Sequence, residues 1–118
     1  MTVIFSEGSV SIIIPCKEID NYTLGCIDSC RKLDYHNFEI ILLPDNATKP
    51  IEAVKTIPTG PVSPGVKRNI GVKNAKGEFC AFIDNDAYPR SDWLTNALKY
   101  FDDTQVGGVG GPVELVVT

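Results

Sequence analysis

The apolar and polar positions of this chain fall into blocks of two kinds. The first is a continuous apolar run of strand length. Val10 to Pro15 (VSIIIP) is rich in β-branched residues and stopped by proline, and Phe38 to Leu43 (FEIILL) ends in Pro44-Asp45-Asn46. Phe79 to Ile83 (FCAFI) is a third such run. Runs without polar alternation suit strands buried on both faces, as in a parallel sheet. The second kind is apolar at helical spacing. Cys26, Ile27, Cys30 and Leu33 share one face of a helix running to about Leu33, with Asp20, Asn21 and Thr23 as N-cap candidates. Ser63-Pro64 supplies N-cap and first helical position for a helix to about Ala75, with Gly77 just past its end. Ser91 is expected to cap a helix with Leu94, Ala97, Leu98 and Phe101 on one face.

The remaining segments are weaker. Ile51 to Ile57 predicts one or two helical turns before a short strand, and Thr59-Gly60-Pro61 a loop. Val106 to Val117 is Gly-rich, then β-branched, and predicts a closing strand or pair of strands. Strands thus alternate with helices. That order predicts an α/β fold, a mostly parallel sheet with helices on both faces. No repeat, low-complexity tract or internal boundary divides residues 1–118, so a single domain is expected.

Composition narrows the classes. At 118 residues the chain should bury roughly 65% of its unfolded surface, enough for a core without staples. The net charge is −4 and the basic residues are scattered, which argues against a nucleic-acid partner. A phosphorylated ligand fits, because a metal, a helix N-terminus and one or two Arg or Lys can hold it locally. The cysteines are Cys16, Cys26, Cys30 and Cys80; there is no CxxC and the only histidine is His36, which argues against zinc. They read as reduced, mostly buried thiols. Met1 to Glu7 lacks the basic start and apolar core of a signal peptide, and no apolar run approaches the ~20 residues of a membrane helix. A cytoplasmic protein is expected, working in solution or at the inner face of the membrane.

Chemistry concentrates where apolar runs end. Phe79 to Ile83 gives way to Asp84-Asn85-Asp86. In an open α/β sheet, ligands bind just beyond the carboxyl ends of strands. Asp84 and Asp86 would point the same way if the extended backbone continues through Asn85. Two such carboxylates could seat a hard divalent cation whose other ligands are substrate phosphates; the alternative is a polar turn bonding its own backbone. Pro64-Gly65-Val66-Lys67-Arg68-Asn69 places cations in the first two turns of a helix, suited to a phosphate or to a solvated helix face. Gly71 inside that helix costs roughly 1 kcal/mol against Ala, which close approach of a strand would justify. Pro15-Cys16-Lys17-Glu18 and Pro44-Asp45-Asn46 could together hold a flat base, with Asp45 accepting from a ring N–H, or could be ordinary turn chemistry. Gly107 to Pro112 (GGVGGP) has no Lys-Ser/Thr, so it is not a P-loop, and no glycines follow the first strand, so there is no dinucleotide fingerprint. A phosphoacceptor domain using Asp84 would need an acidic pair after the first strand, where Lys17-Glu18 stands.

Taken in order, VSIIIPCKE, FEIILLPDN, PGVKRNIGVKNAKGEF, FIDNDAYP and WL…GGVGGP resemble the nucleotide-sugar-binding half of a family-2 glycosyltransferase, from about Val10 to Val113. The resemblance implies a Rossmann-like sheet of the GT-A type. It implies that Pro15, Cys16 and Glu18 lie along the nucleotide base and that Asp45 contacts it. Arg68 and Asn69 match residues near base and diphosphate. Asp84-Asn85-Asp86 matches the DXD motif, in which Asp86 binds the metal and Asp84 approaches the ribose; Asp84 can share the metal, and Asn85 falls among the nucleotide-binding residues. Gly110 and Gly111 match the stretch lining the donor sugar. The implied cofactor is Mg²⁺ or Mn²⁺. The implied partners are a UDP-, dTDP- or GDP-sugar and a saccharide or lipid-linked acceptor, with inversion at the sugar. Pro44 stands where the family often has another Asp, and Lys17-Glu18 replaces the commoner Tyr-Asn, so the base stays open. The family's catalytic base belongs to a second half, and none is expected within these residues. The chain then reads as a truncated piece of an enzyme, or alternatively as a non-catalytic binding or scaffold module. A sheet edge and apolar face left uncovered would favour a homo-oligomer.

Overall fold

A computed structural model describes residues 8–99, 108–109 and 114–117. The elements run β1 (Val10–Pro15), α1 (Asn21–Arg31), β2 (Phe38–Leu43), β3 (Val54–Thr56), α2 (Pro64–Asn74), β4 (Phe79–Phe82), α3 (Trp93–Lys99), β5 (Gly108–Val109) and β6 (Glu114–Val117). They form one sheet of order β3-β2-β1-β4-β6-β5. The first four strands are parallel, while β6 runs antiparallel to β4 and β5. The expected α/β architecture is therefore present, with an antiparallel pair closing one edge.

The apolar runs are explained by burial on both faces. In register, Ile12 lies between Ile40 and Ala81, and Ile13 between Ile41 and Phe82. Val10, Ile12, Ile14, Ile40, Leu42, Ala81 and Ile83 pack against Cys26, Ile27 and Cys30 of α1 and Leu94, Ala97 and Leu98 of α3. Ile13, Ile41, Leu43 and Cys80 face the other way, onto Ile70 of α2 and onto Ile57 and Phe82. Burying each large aliphatic side chain stabilises the fold by about 1.5–3 kcal/mol, and β1 buries all six of its residues. Gly71 has the packing reason its position demands. A Cβ there would lie 2.7 Å from Ile13 Cγ2, so only glycine lets α2 sit this close to β1.

Helix entries follow the capping residues closely. Asp20 Oδ1 accepts from the Thr23 backbone N–H at 2.9 Å, and Ser63 Oγ from that of Val66 at 3.2 Å. Three boundaries differ from the sequence pattern. The short strand expected in 51–57 is present at residues 54–56, paired with the edge of β2, but the helical turns expected before it do not form. Only a tight turn remains before the strand, with Val54 N–H bonded to Ile51 O and Ala53 at a φ of 59°. Helix α3 begins at Trp93, and Ser91 lies in the preceding turn, where its carbonyl accepts from Asp34 N–H at 2.9 Å. Strand β4 ends at Phe82, although Ile83 N–H still bonds Ile13 O at 3.2 Å. Phe101, expected on the face of α3, lies outside the described residues.

At the amino end of the sheet, Ser11 is fully buried. Its hydroxyl donates to Glu39 Oε2 at 2.6 Å and accepts from Gly77 N–H at 2.9 Å. Glu39 Oε2 also accepts from Lys76 N–H at 2.7 Å. These bonds tie the loop after α2 to the first two strands. All four cysteines are buried and free. Among the described residues, no helix is long and apolar enough to cross a membrane.

Candidate functional site

Because β1, β2 and β4 are parallel, their carboxyl ends open side by side. The segments that follow them enclose a cleft of about 650 Å³. Pro15, Cys16 and Lys17 line it from β1, Asp45 from β2, and Asp84, Asn85 and Asp86 from β4. The loop before α2 adds Pro61 and Val62, and the helix itself adds Pro64 and Lys67. Most residues singled out by the sequence therefore converge. Glu18, Arg68 and Asn69 do not line this cleft; Glu18 and Asn69 are exposed and Arg68 is half-buried. Gly110 and Gly111 lie outside the described residues. A second hollow, of about 450 Å³, is bounded by Tyr88, Pro89, Arg90, Asp92, Trp93 and Asn96, and holds none of the strand-end acids.

The acids reach the cleft by a turn, not by extended backbone. Ala87 N–H bonds Asp84 O at 3.0 Å, so Asp84 to Ala87 folds back on itself. The chain reverses and both carboxylates still face the opening. The turn is braced from behind by α1. Asn85 Nδ2 donates to Thr23 Oγ1 at 2.9 Å, Thr23 Oγ1 donates to Asp20 Oδ1 at 3.0 Å, and the Cys26 thiol lies 3.7 Å from Asp84 O. The backbone N–H and hydroxyl of Thr23 hold the Asp20 carboxyl below the ordinary carboxylate range. Asp84 and Asp86 themselves are exposed.

Lys67 differs most from its sequence reading. It is not on a solvated helix face but turned in toward the sheet. Its side chain is 4% exposed. Its ammonium donates to Cys16 O at 2.9 Å, Leu43 O at 3.1 Å and Asp45 Oδ1 at 2.6 Å. A signal for this was present: Lys67, Ile70 and Gly71 recur at helical spacing, so all three face the sheet. Arg68, next along, pairs with one of the acids from outside the cleft lining. Its Nη2 lies 3.4 Å from Asp84 Oδ1 in a half-exposed pair, while its Nε is buried without a hydrogen-bond partner. The Cys16 thiol, at the base of the cleft, is pushed up to about 11 by burial, against the opposing pull of Lys67.

Among the described residues no three His, Cys, Asp or Glu side chains cluster as a complete metal cage. The pair Asp84 and Asp86 fits an ion that takes one or two protein carboxylates and completes its shell with phosphate and water, as Mg²⁺ does.

The glycosyl transferase family 2 model matches residues 11–116. An uncharacterized glycosyltransferase of Haemophilus influenzae is 33% identical over 104 residues, covering 77% of this chain and 41% of that protein. The poly(ribitol-phosphate) beta-N-acetylglucosaminyltransferase TarS of Staphylococcus aureus is 28% identical over 107 residues, 79% of this chain and 19% of that one. The chain thus spans less than half the length of these relatives. Among solved structures, the mannosyltransferase PcManGT of Pyrobaculum calidifontis, in complex with GDP-Man and Mn²⁺, superposes with a TM-score of 0.81 at 18% identity, over 93% of this chain and 44% of that one. TarS 1–349 in complex with UDP-GlcNAc superposes at 0.71 with 24% identity, over 85% and 33%. From a family match over nearly its whole length, and a sheet shared with these enzymes, the chain belongs to glycosyltransferase family 2 and has the GT-A architecture.

Proposed function

We propose that this chain is the donor-binding part of a metal-dependent, inverting glycosyltransferase that takes its sugar from a UDP-, dTDP- or GDP-sugar. The observation that carries the reading is the convergence of Asp45, Asp84 and Asp86 around one cleft at three parallel strand ends. The complexes of PcManGT with GDP-Man and Mn²⁺ and of TarS with UDP-GlcNAc support it by likeness.

In this reading Pro15 and Cys16 form the wall for the base and Asp45 meets its edge. Asp84 meets the ribose. Arg68, swinging from its half-exposed pairing with Asp84, meets the diphosphate. Exposed ion pairs are worth about 0–1 kcal/mol, so exchanging Asp84 for a phosphate costs Arg68 little. Asp86, with Asp84, would hold Mg²⁺ or Mn²⁺. The ion, when bound, neutralises charge on the leaving diphosphate. Gly110 and Gly111 are assigned to the donor sugar. No cleft residue is assigned as the base for the acceptor hydroxyl; that proton would pass to a carboxylate outside the described residues. The acceptor would be a saccharide or lipid-linked hydroxyl.

Calorimetric titration with UDP, dTDP and GDP, each with and without Mn²⁺, tests the reading. Metal-dependent binding of a nucleotide, abolished in Asp86→Ala, is the expected result. Equal binding by the variant would remove the metal assignment.

A further inference from the structure

Lys67 is the most thoroughly used polar group in the cleft. Its ammonium has three protons and three acceptors, Cys16 O, Leu43 O and Asp45 Oδ1. No proton is left for a ligand. What the cleft receives from this lysine is therefore its effect on Asp45, whose side chain is 13% exposed. The backbone around Asp45 is fixed as well: its N–H bonds Lys17 O at 3.0 Å and its carbonyl accepts from Gly60 N–H at 2.8 Å.

We infer that Lys67 is a positioning residue that makes Asp45 select a uracil or thymine ring over other bases. The inference rests on the donor-site reading and deepens it. A carboxylate with both oxygens free would clamp the adjacent N1–H and N2–H₂ donors of guanine in a bidentate pair. Here Oδ1 already accepts from the ammonium, so a second donor at Oδ1 would stand against a positive charge and Oδ2 is the better acceptor for a ligand. Uracil and thymine present one ring N–H between two carbonyls, so the N–H meets the acceptor and a carbonyl dipole points to the charge. Guanine would place its second donor next to that charge. Cytosine and adenine would turn a ring-nitrogen lone pair toward the carboxylate.

The test is calorimetry of this chain with UDP, dTDP, GDP, CDP and ADP in the presence of Mn²⁺. The native chain should bind UDP and dTDP about tenfold or more tighter than the other three. In Asp45→Asn the amide oxygen would take the Lys67 proton and the NH₂ would face the cleft. The ranking should then shift toward CDP, whose ring nitrogen accepts. A purely structural Asp45 would lower all affinities together and leave the ranking alone. Lys67→Met should lose the ranking; should it not fold, Asp45→Asn carries the test. GDP binding as tightly as UDP, or an unchanged ranking in Asp45→Asn, overturns the inference and leaves the donor site standing. Absence of binding by all five nucleotides overturns both.

Discussion

The two ends of the central strands each hold a polar cluster, and they differ in what is left over. At the amino end, Ser11, Glu39 and the amides of Lys76 and Gly77 bond to one another. At the carboxyl end, Lys67 closes an equally complete set of bonds to Cys16, Leu43 and Asp45. Beyond it stand Asp84 and Asp86, exposed and facing a cleft. Internal satisfaction is what a buried polar group needs in order not to cost stability. Charged groups left in excess of that need mark the end that is available for a ligand. One end of the sheet is a seam and the other is a seam with a site built on it.

Breaking the seams should have the largest effects. Lys67→Met takes the ammonium from Asp45 and from Cys16 O, while Leu43 O keeps the Cys16 N–H at 3.2 Å, and should cost about 3 kcal/mol in urea unfolding. A loss under about 0.5 kcal/mol would show that water replaces the ammonium there. At the opposite end, Gly77→Ala would put a Cβ 2.6 Å from Ser11 N and should cost about 2 kcal/mol by overpacking. Rescue is not expected from Ser11→Ala, because the clash includes backbone.

A pH series sharpens the comparison, since each end carries a buried thiol. Cys16 is raised to about 11 by burial, and Cys80 to about 11 by burial and then by Glu39. Both folded values lie above the ordinary 9.0, so their contribution to stability is complete below that pH and is lost as pH rises toward about 11. Urea midpoints should fall across that window, and the fall should shrink in a Cys16→Ala/Cys80→Ala chain. An identical fall in both chains would assign it to other groups.

The smallest stability effect belongs to the acids of the site. Asp86 is exposed and forms no hydrogen bond or ion pair with a described residue. Asp86→Ala should therefore change the unfolding free energy by no more than about 0.5 kcal/mol. Its effect should appear in metal-dependent nucleotide binding instead.

The fold was readable from the chain to the extent that burial is local. VSIIIP and FEIILL are buried throughout their lengths or nearly so, and their pattern shows it directly. Gly71 pointed to a close helix–strand approach because a glycine inside a helix needs such a reason. Lys67 was not readable as buried from its charge. Its acceptors come from segments 51, 24 and 22 residues away, and only the assembled sheet brings them together. The failed helical turns before residues 54–56 have a similar origin, since the free edge of β2 recruited that short strand. The acids were placed at the correct strand end, but the turn that presents them depends on α1 behind it.

That brace from α1 has an energetic consequence. The path from Asp20 through Thr23 to Asn85, with the Cys26 thiol against the Asp84 carbonyl, is complete before any ligand arrives. Freezing a backbone residue costs about 1–2 kcal/mol, and for the turn at 84–87 that cost falls on folding. A visitor to Asp84 and Asp86 meets groups whose entropy has already been lost, so more of its contact energy appears as affinity. Loosening α1 by removing Asp20 or Thr23 should therefore weaken binding at carboxylates that neither residue touches.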